Sequence, residues 1–129
     1  MEIVWNMPWQ QIGNDIPFEG CEIITSSDGS VIAIGDPYND DNGGNSGRVR
    51  IYQNVNDNWV QVGSDFEGEA RDLLGSSVSL SSDGSVVAIG ATRNDGNGSY
   101  SGHVRIYQNV NNSWVQVGGD IDGEAESDY

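Results

Sequence analysis

The sequence predicts an all-β protein built from tandem four-stranded antiparallel blades of a β-propeller, with a β-solenoid as the alternative. Three observations carry that reading: a long internal repeat, short β-branched and aromatic runs between polar turns, and an Asp-Gly turn inside every repeat. Residues 26–63 (SSDGSVIAIGDPYNDDNGGNSGRVRIYQNVNDNWVQVG) and 81–118 (SSDGSVVAIGATRNDGNGSYSGHVRIYQNVNNSWVQVG) align without a gap and agree at 28 of 38 positions. Residues 114–125 begin a further copy that matches 59–70, and residues 9–16 (WQQIGNDI) are part of an earlier one. Self-similarity at this period marks supersecondary units that bury their apolar faces on one another.

The strands follow in order within each unit. Residues 76–80 (SSVSL), and more weakly 21–25 (CEIIT), read as the first strand. Ser-Asp-Gly at 82–84 and 27–29 makes the next reversal tight, because Asp-Gly reaches positive φ at low cost. Residues 86–91 (VVAIGA) and 31–35 are apolar at successive positions and predict a strand buried on both faces. A long polar loop follows, 94–101 or 39–46. The third strand, 103–108 (HVRIYQ) or 48–53, alternates between Val104 and Ile106 on one face and Arg105 and Tyr107 on the other. An Asn-rich turn leads to the fourth, 114–117 or 59–62. Asp-Gly hairpins inside a unit of this length favour a propeller blade over a solenoid coil.

These units divide the chain into a partial preceding blade with its linker (1–18), a first blade (19–63), a second blade with its leading linker (64–118) and an acidic linker to a further blade (119–129). Residues 3–4 and 9–12 read as the last two strands of the partial blade. Trp9 and Trp59 are 50 apart and Trp59 and Trp114 are 55 apart, so the first unit lacks five residues between Asp15 and Gly20. Two full blades do not close a ring, which takes roughly four to eight. The sequence therefore predicts a segment of a longer propeller, or one subunit of a self-assembling multimer or filament whose partners are other copies of itself.

Composition narrows the function. The 20 carboxylates face five arginines and no lysine, a net charge of −15. That field opposes nucleic acid and anionic lipid and favours cations such as Ca²⁺. Cys21 is alone, so no intrachain disulfide forms. No apolar run approaches the length of a membrane span, and the N-terminus lacks a signal-peptide pattern.

The run LGSSVSLSSDGSVVAIGA (74–91), followed by SGHVRIYQN (101–109) and WVQVG, resembles the FG-GAP repeat of integrin-α-like β-propellers, in the divergent bacterial and algal branch where such runs recur. The resemblance implies a propeller in a secreted or cell-surface protein, used in adhesion or ligand binding, without catalytic activity. It also implies a Ca²⁺ loop of the form Asp-x-Asp-x-Asp-Gly between the first two strands. This chain departs from it, with Ser-Ser-Asp-Gly-Ser and one carboxylate per turn.

Several groups are candidates for chemistry. Asp65, Glu67, Glu69 and Asp72, and again Asp120, Asp122, Glu124 and Glu126, place carboxylates along the interval between blades. Period-two spacing sets such groups on one side of an extended chain, as part of a Ca²⁺ site or as a solvated linker that guards a sheet edge. Asp36, Asn39, Asp40, Asp41 and Asn42, with Asn94 and Asp95 in the other copy, form a loop set suited to cations or sugar hydroxyls, or to Asx-turns. Trp9, Trp59 and Trp114 occupy one position per repeat, as do Tyr52 and Tyr107; packing is the expected use, with an Arg50 or Arg105 contact to a carboxylate or aromatic ring between blades. Asn97 and Asn111 head Asn-x-Ser sequons in loops, candidate glycosylation sites of a secreted glycoprotein. His103 is the single histidine and aligns with Arg48, so no repeated catalytic set exists and no enzyme is expected. The expected function is a non-catalytic extracellular structural or adhesion module. The alternative is a Ca²⁺- or glycan-binding domain of a receptor-like protein.

Overall fold

The turn between the first two strands of each unit is locked by its own side chains. Asp28 Oδ1 accepts hydrogen bonds from Ser26 Oγ (3.0 Å), Ser30 N (3.0 Å) and Ser30 Oγ (2.7 Å). Asp83 does the same with Ser81 Oγ, Ser85 N and Ser85 Oγ at 2.9, 3.0 and 2.7 Å. Gly29 and Gly84 both take φ of 75°, where a Cβ is disfavoured. Hydroxyl and amide donors hold both carboxylates below their ordinary range.

The computed structural model describes residues 9–16, 22–92 and 102–123. These turns open two antiparallel sheets of the same topology. The first contains β1 (Glu22–Thr25), β2 (Val31–Asp36), β3 (Arg48–Val55) and β4 (Asn58–Gln61) in that order, and β5 (Phe66–Glu67) also pairs with β3. The second contains β6 (Leu74–Leu80), β7 (Val86–Ala91), β8 (His103–Val110) and β9 (Ser113–Gln116), with β10 (Ile121–Asp122) on β8. Four consecutive antiparallel strands per unit are the architecture of propeller blades.

The third strand is two residues longer than its apolar alternation predicts. Two-residue reversals at Asn56-Asp57 and Asn111-Asn112, all with φ between 52° and 66°, keep the hairpin paired to its end. The outer edge of that strand is shared. β4 covers its distal half, from Tyr52↔Gln61 to Val55↔Asn58, and β5 covers its start, at Arg48↔Glu67 and Val49↔Phe66. The acidic intervals read from sequence as linkers thus each contribute a short strand to the preceding sheet, so the sheets run past positions 63 and 118. β6 begins at Leu74, ahead of the expected 76, through an irregularity between Leu74 and Ser77. Residues 9–12 form no strand, while residues 3–4 and Cys21 lie outside the described residues.

The core lies between the sheets. Val31, Ala33, Val49, Ile51 and Val62 of the first sheet close on Leu74, Val78, Val87, Ile89 and Ala91 of the second. On the repeat offset of 55, Val78, Val87 and Ile89 correspond to Ile23, Ile32 and Ile34, which lie on the other face of the first sheet from Val31, Ala33 and Ile51. One face of a unit therefore meets the opposite face of the next, a head-to-tail stack. Because β2 and β7 must serve both faces, they carry apolar residues at successive positions.

Three seams fix the stack. At one rim Ser27 N and Oγ both donate to Ser82 O, at 3.0 and 2.9 Å. At a second, Leu73 N and Leu74 N donate to Asn45 O and Ser46 O at 2.9 and 3.0 Å, and Gly47 bridges Leu74. The third is aromatic. Among the described residues no helix is long and apolar enough to cross a membrane.

Candidate functional site at the seam between the sheets

The aromatic seam starts from the tryptophan that stands second in each outer strand. Trp114 Nε1 donates to Val62 O at 2.9 Å, and Trp59 Nε1 donates to Ile12 O at 2.8 Å. Ile12 and Val62 stand at one repeat position, each three residues after its own tryptophan. The next residue is glycine in both cases, with φ of 74° at Gly13 and 70° at Gly63. A Cβ on Gly13 would sit 2.9 Å from Trp59 Cδ1, and one on Gly63 would sit 2.7 Å from Trp114 Cδ1. The glycine is thus a socket for the following unit's indole. Phe66 completes it, its ring centroid 4.7 Å from that of Tyr107 and 6.0 Å from that of Trp114, both tilted as aromatic edges and faces prefer. The sequence marks the tryptophans but not their receptor; the shared Gly13, Gly63 and Gly118 were its signal.

Trp59 and Trp114 are half-buried, and Tyr52 is buried. Trp9 differs from its counterparts and is fully exposed among the described residues.

The arginines act inside a unit rather than between units. Arg50 Nε and Nη2 donate to the two oxygens of Asp65 at 2.9 and 3.0 Å, and Gln61 Nε2 donates to Asp65 Oδ1. Arg105, Asp120 and Gln116 repeat the arrangement at 2.8, 2.9 and 2.7 Å. Both partners emanate from one sheet because β5 and β10 return the chain to the third strand. Arg105 first, then Gln116, holds the Asp120 carboxyl down from 3.8 to about 2, and Arg50 likewise lowers Asp65. A depressed folded-state value means stability that is present above pH 3.8 and lost as pH falls toward 2. Replacing Asp120 with asparagine should therefore cost about 0.5–1 kcal/mol at pH 6, for a partly exposed bidentate pair. That difference should shrink as pH falls through 2, as urea unfolding followed by tryptophan fluorescence will show.

The remaining acidic groups face a cleft of about 690 Å³ lined by Glu67, Glu69, Asp72, Asp120 and Asp122, with Arg105 and Asn42. Asp72 is buried and accepts from Glu69 N at 2.9 Å, while Glu67 and Glu69 are exposed. Asp65 and Asp120 direct their oxygens to arginine and glutamine. Among the described residues no group of three His, Cys, Asp or Glu side chains is arranged to hold a metal ion. Glu124 and Glu126 lie outside the described residues.

The polar loop of the first unit uses its side chains on its own backbone and on the neighbouring Gly68. Asn39 Oδ1 accepts from Asp41 N, Asp40 Oδ1 from Asn45 N, and Asn42 Nδ2 donates to Gly68 O, all between 2.8 and 2.9 Å. Arg48 reaches Asp41 at 3.1 Å and Asp36 at 3.7 Å. In the second unit alanine, glycine and histidine replace Asp36, Asp41 and Arg48 at positions 91, 96 and 103. The change is coherent, since a guanidinium at a site as buried as His103 would lose both carboxylates. Burial first, and the Arg105 charge next, push the His103 imidazole below its ordinary range, and among the described residues neither ring nitrogen has a hydrogen-bond partner. Asn94, Asp95 and Asn97 lie outside the described residues; Asn111 sits on the exposed turn between β8 and β9.

No curated protein matches the chain. The family model described as FG-GAP repeat matches residues 64–107, which span β5 through most of β8. The match covers β6, β7 and the start of β8 with the segment that seals them to the first unit, and the first unit repeats that topology strand for strand. Residues 64–107 are thus similar to an FG-GAP repeat, a β-propeller repeat.

Proposed function

We propose that the chain is a non-catalytic extracellular structural or adhesion module that works by stacking blades, as part of a larger propeller or a self-assembling multimer. The observation that carries this reading is the open apolar face of the second sheet. Val104, Val117 and Ile121 are all exposed there, while Val49, Val62 and Phe66, their repeat counterparts, are covered by the next sheet. Exposed apolar surface of this kind marks an interface. The FG-GAP match supports the module class, and a secreted or surface location suits a repeat of that family. Sedimentation equilibrium over a hundredfold range of concentration tests it. The expected result is a mass that rises with concentration as open faces pair, and a constant monomer mass argues against assembly from copies.

A second reading, Ca²⁺ binding, has the acidic inter-sheet cleft in its favour. Isothermal titration with CaCl₂ against a chelator-treated sample checks it. Heat of binding that disappears in Glu67→Gln/Asp122→Asn is the expected result if the cleft takes the cation, and no heat at millimolar Ca²⁺ sinks this reading.

A further inference from the structure

Resting on the blade-stacking reading, the geometry points to a head-to-tail contact between two copies of this chain, in which Trp9 of one copy seats on Gly118 of the other and donates its indole N–H to the Val117 carbonyl. The contact is the third instance of one the chain already makes twice within itself. Trp59 uses Ile12 O and Gly13, and Trp114 uses Val62 O and Gly63. Two members of the series are left over. Trp9 holds the donor position and is 101% exposed. Gly118 holds the receptor position with φ of 73°, within 4° of the two filled sockets, and among the described residues no atom lies within 4 Å of where its Cβ would stand.

The surroundings of the open socket match as well. Val49 is 0% exposed and its counterpart Val104 is 36%; Val62 is 6% exposed and Val117 is 49%. Phe66 packs on Tyr107 and Trp114, whereas its counterpart Ile121 is 58% exposed. The sequence around the donor (WQQIG) keeps the tryptophan, the middle glutamine, an aliphatic residue and the glycine of those around Trp59 and Trp114 (WVQVG), with Gln10 in place of valine. Donor and receptor occupy opposite ends of the stack. Their pairing is heterologous and joins copies into a ring or an open filament according to the rotation per step. Each chain carries a net charge of −15, so association should strengthen as salt screens the repulsion.

Two single variants and their mixture test the contact by sedimentation velocity in 0.3 M NaCl. Trp9→Ala removes an exposed side chain, and Gly118→Ala adds a methyl in open space at a local backbone cost for its positive φ, so both should keep the wild-type circular dichroism spectrum. In the assembly that methyl meets the incoming indole as one at Gly63 would meet Trp114. Each variant alone should associate roughly thirtyfold or more weakly than wild type, as for a buried tryptophan anchor. Mixed in equal amounts they should form a dimer and stop there. The Gly118→Ala chain still offers Trp9, and the Trp9→Ala chain still offers an open socket. Wild-type association that persists in both variants overturns this contact and leaves the module reading standing. A wild type that stays monomeric overturns the contact together with self-assembly.

Discussion

Replacing Gly47 with alanine should destabilise the protein by about 2–5 kcal/mol, read as a shift in the urea unfolding midpoint. The estimate joins two costs: about 1–2 kcal/mol for a Cβ in the left-handed region, and about 1–3 kcal/mol for overpacking a fixed neighbour. Gly47 has φ of 86°, and its Cβ would overlap the amide and carbonyl of Leu74. Those atoms are not free to retreat. Leu74 N is bonded to Ser46 O, and Leu74 pairs with Ala91 at the edge of the second sheet. Relieving the overlap therefore means parting the two sheets along this seam. Gly44 is the control, because among the described residues nothing lies within 4 Å of its Cβ position. Alanine there should change stability by no more than about 0.5 kcal/mol. Equal effects at the two glycines would show that the strands do not approach so closely at Gly47.

Ile51→Ala should cost about 2–5 kcal/mol, the range for an isoleucine truncated in a close-packed interior. Ile51 is 1% exposed and sits in the cluster shared by both sheets. Ile106 occupies the same position of the second repeat but faces outward from the stack and is only half-buried. Its truncation should cost roughly half as much, since less apolar area is lost from the interior. The comparison is sharp because sequence context, strand and register are nearly identical at the two sites. Thermal unfolding of both variants at low protein concentration makes the measurement. Equal losses would mean that the second sheet has a covered outer face.

The strands, the Asp-Gly turns and the tryptophan period were legible in the sequence because each is a local pattern. Alternation needs only a few residues, and Asp28 or Asp83 writes its turn within five. The two-residue strands β5 and β10 escaped because Phe66 and Ile121 stand among carboxylates, and two residues hold no periodicity. What makes them strands is distant, namely the unpaired start of β3 and β8. The Arg50–Asp65 pair was hidden for the same reason, although Arg, Gln and Asp recur together at 105, 116 and 120, which was a usable signal. The expectation of an arginine contact between units failed because the chain folds back onto its own sheet before it leaves. Of the acidic series, burial separates Asp72 from exposed Glu67 and Glu69, a distinction that spacing alone does not carry.

The placement of the core between sheets, rather than within one, has a consequence for how the chain comes apart. Neither meander encloses an interior of its own, so the free energy of folding resides in the coupling between neighbours. In a one-dimensional lattice of such units, strong coupling and weak intrinsic stability make the array melt as a single cooperative body. Amides of β2 and β7 belong to one exchange unit in that case, although they sit in different repeats. Each added neighbour contributes a full interface while ordering only one more unit, so cooperativity and stability grow together with the length of the stack.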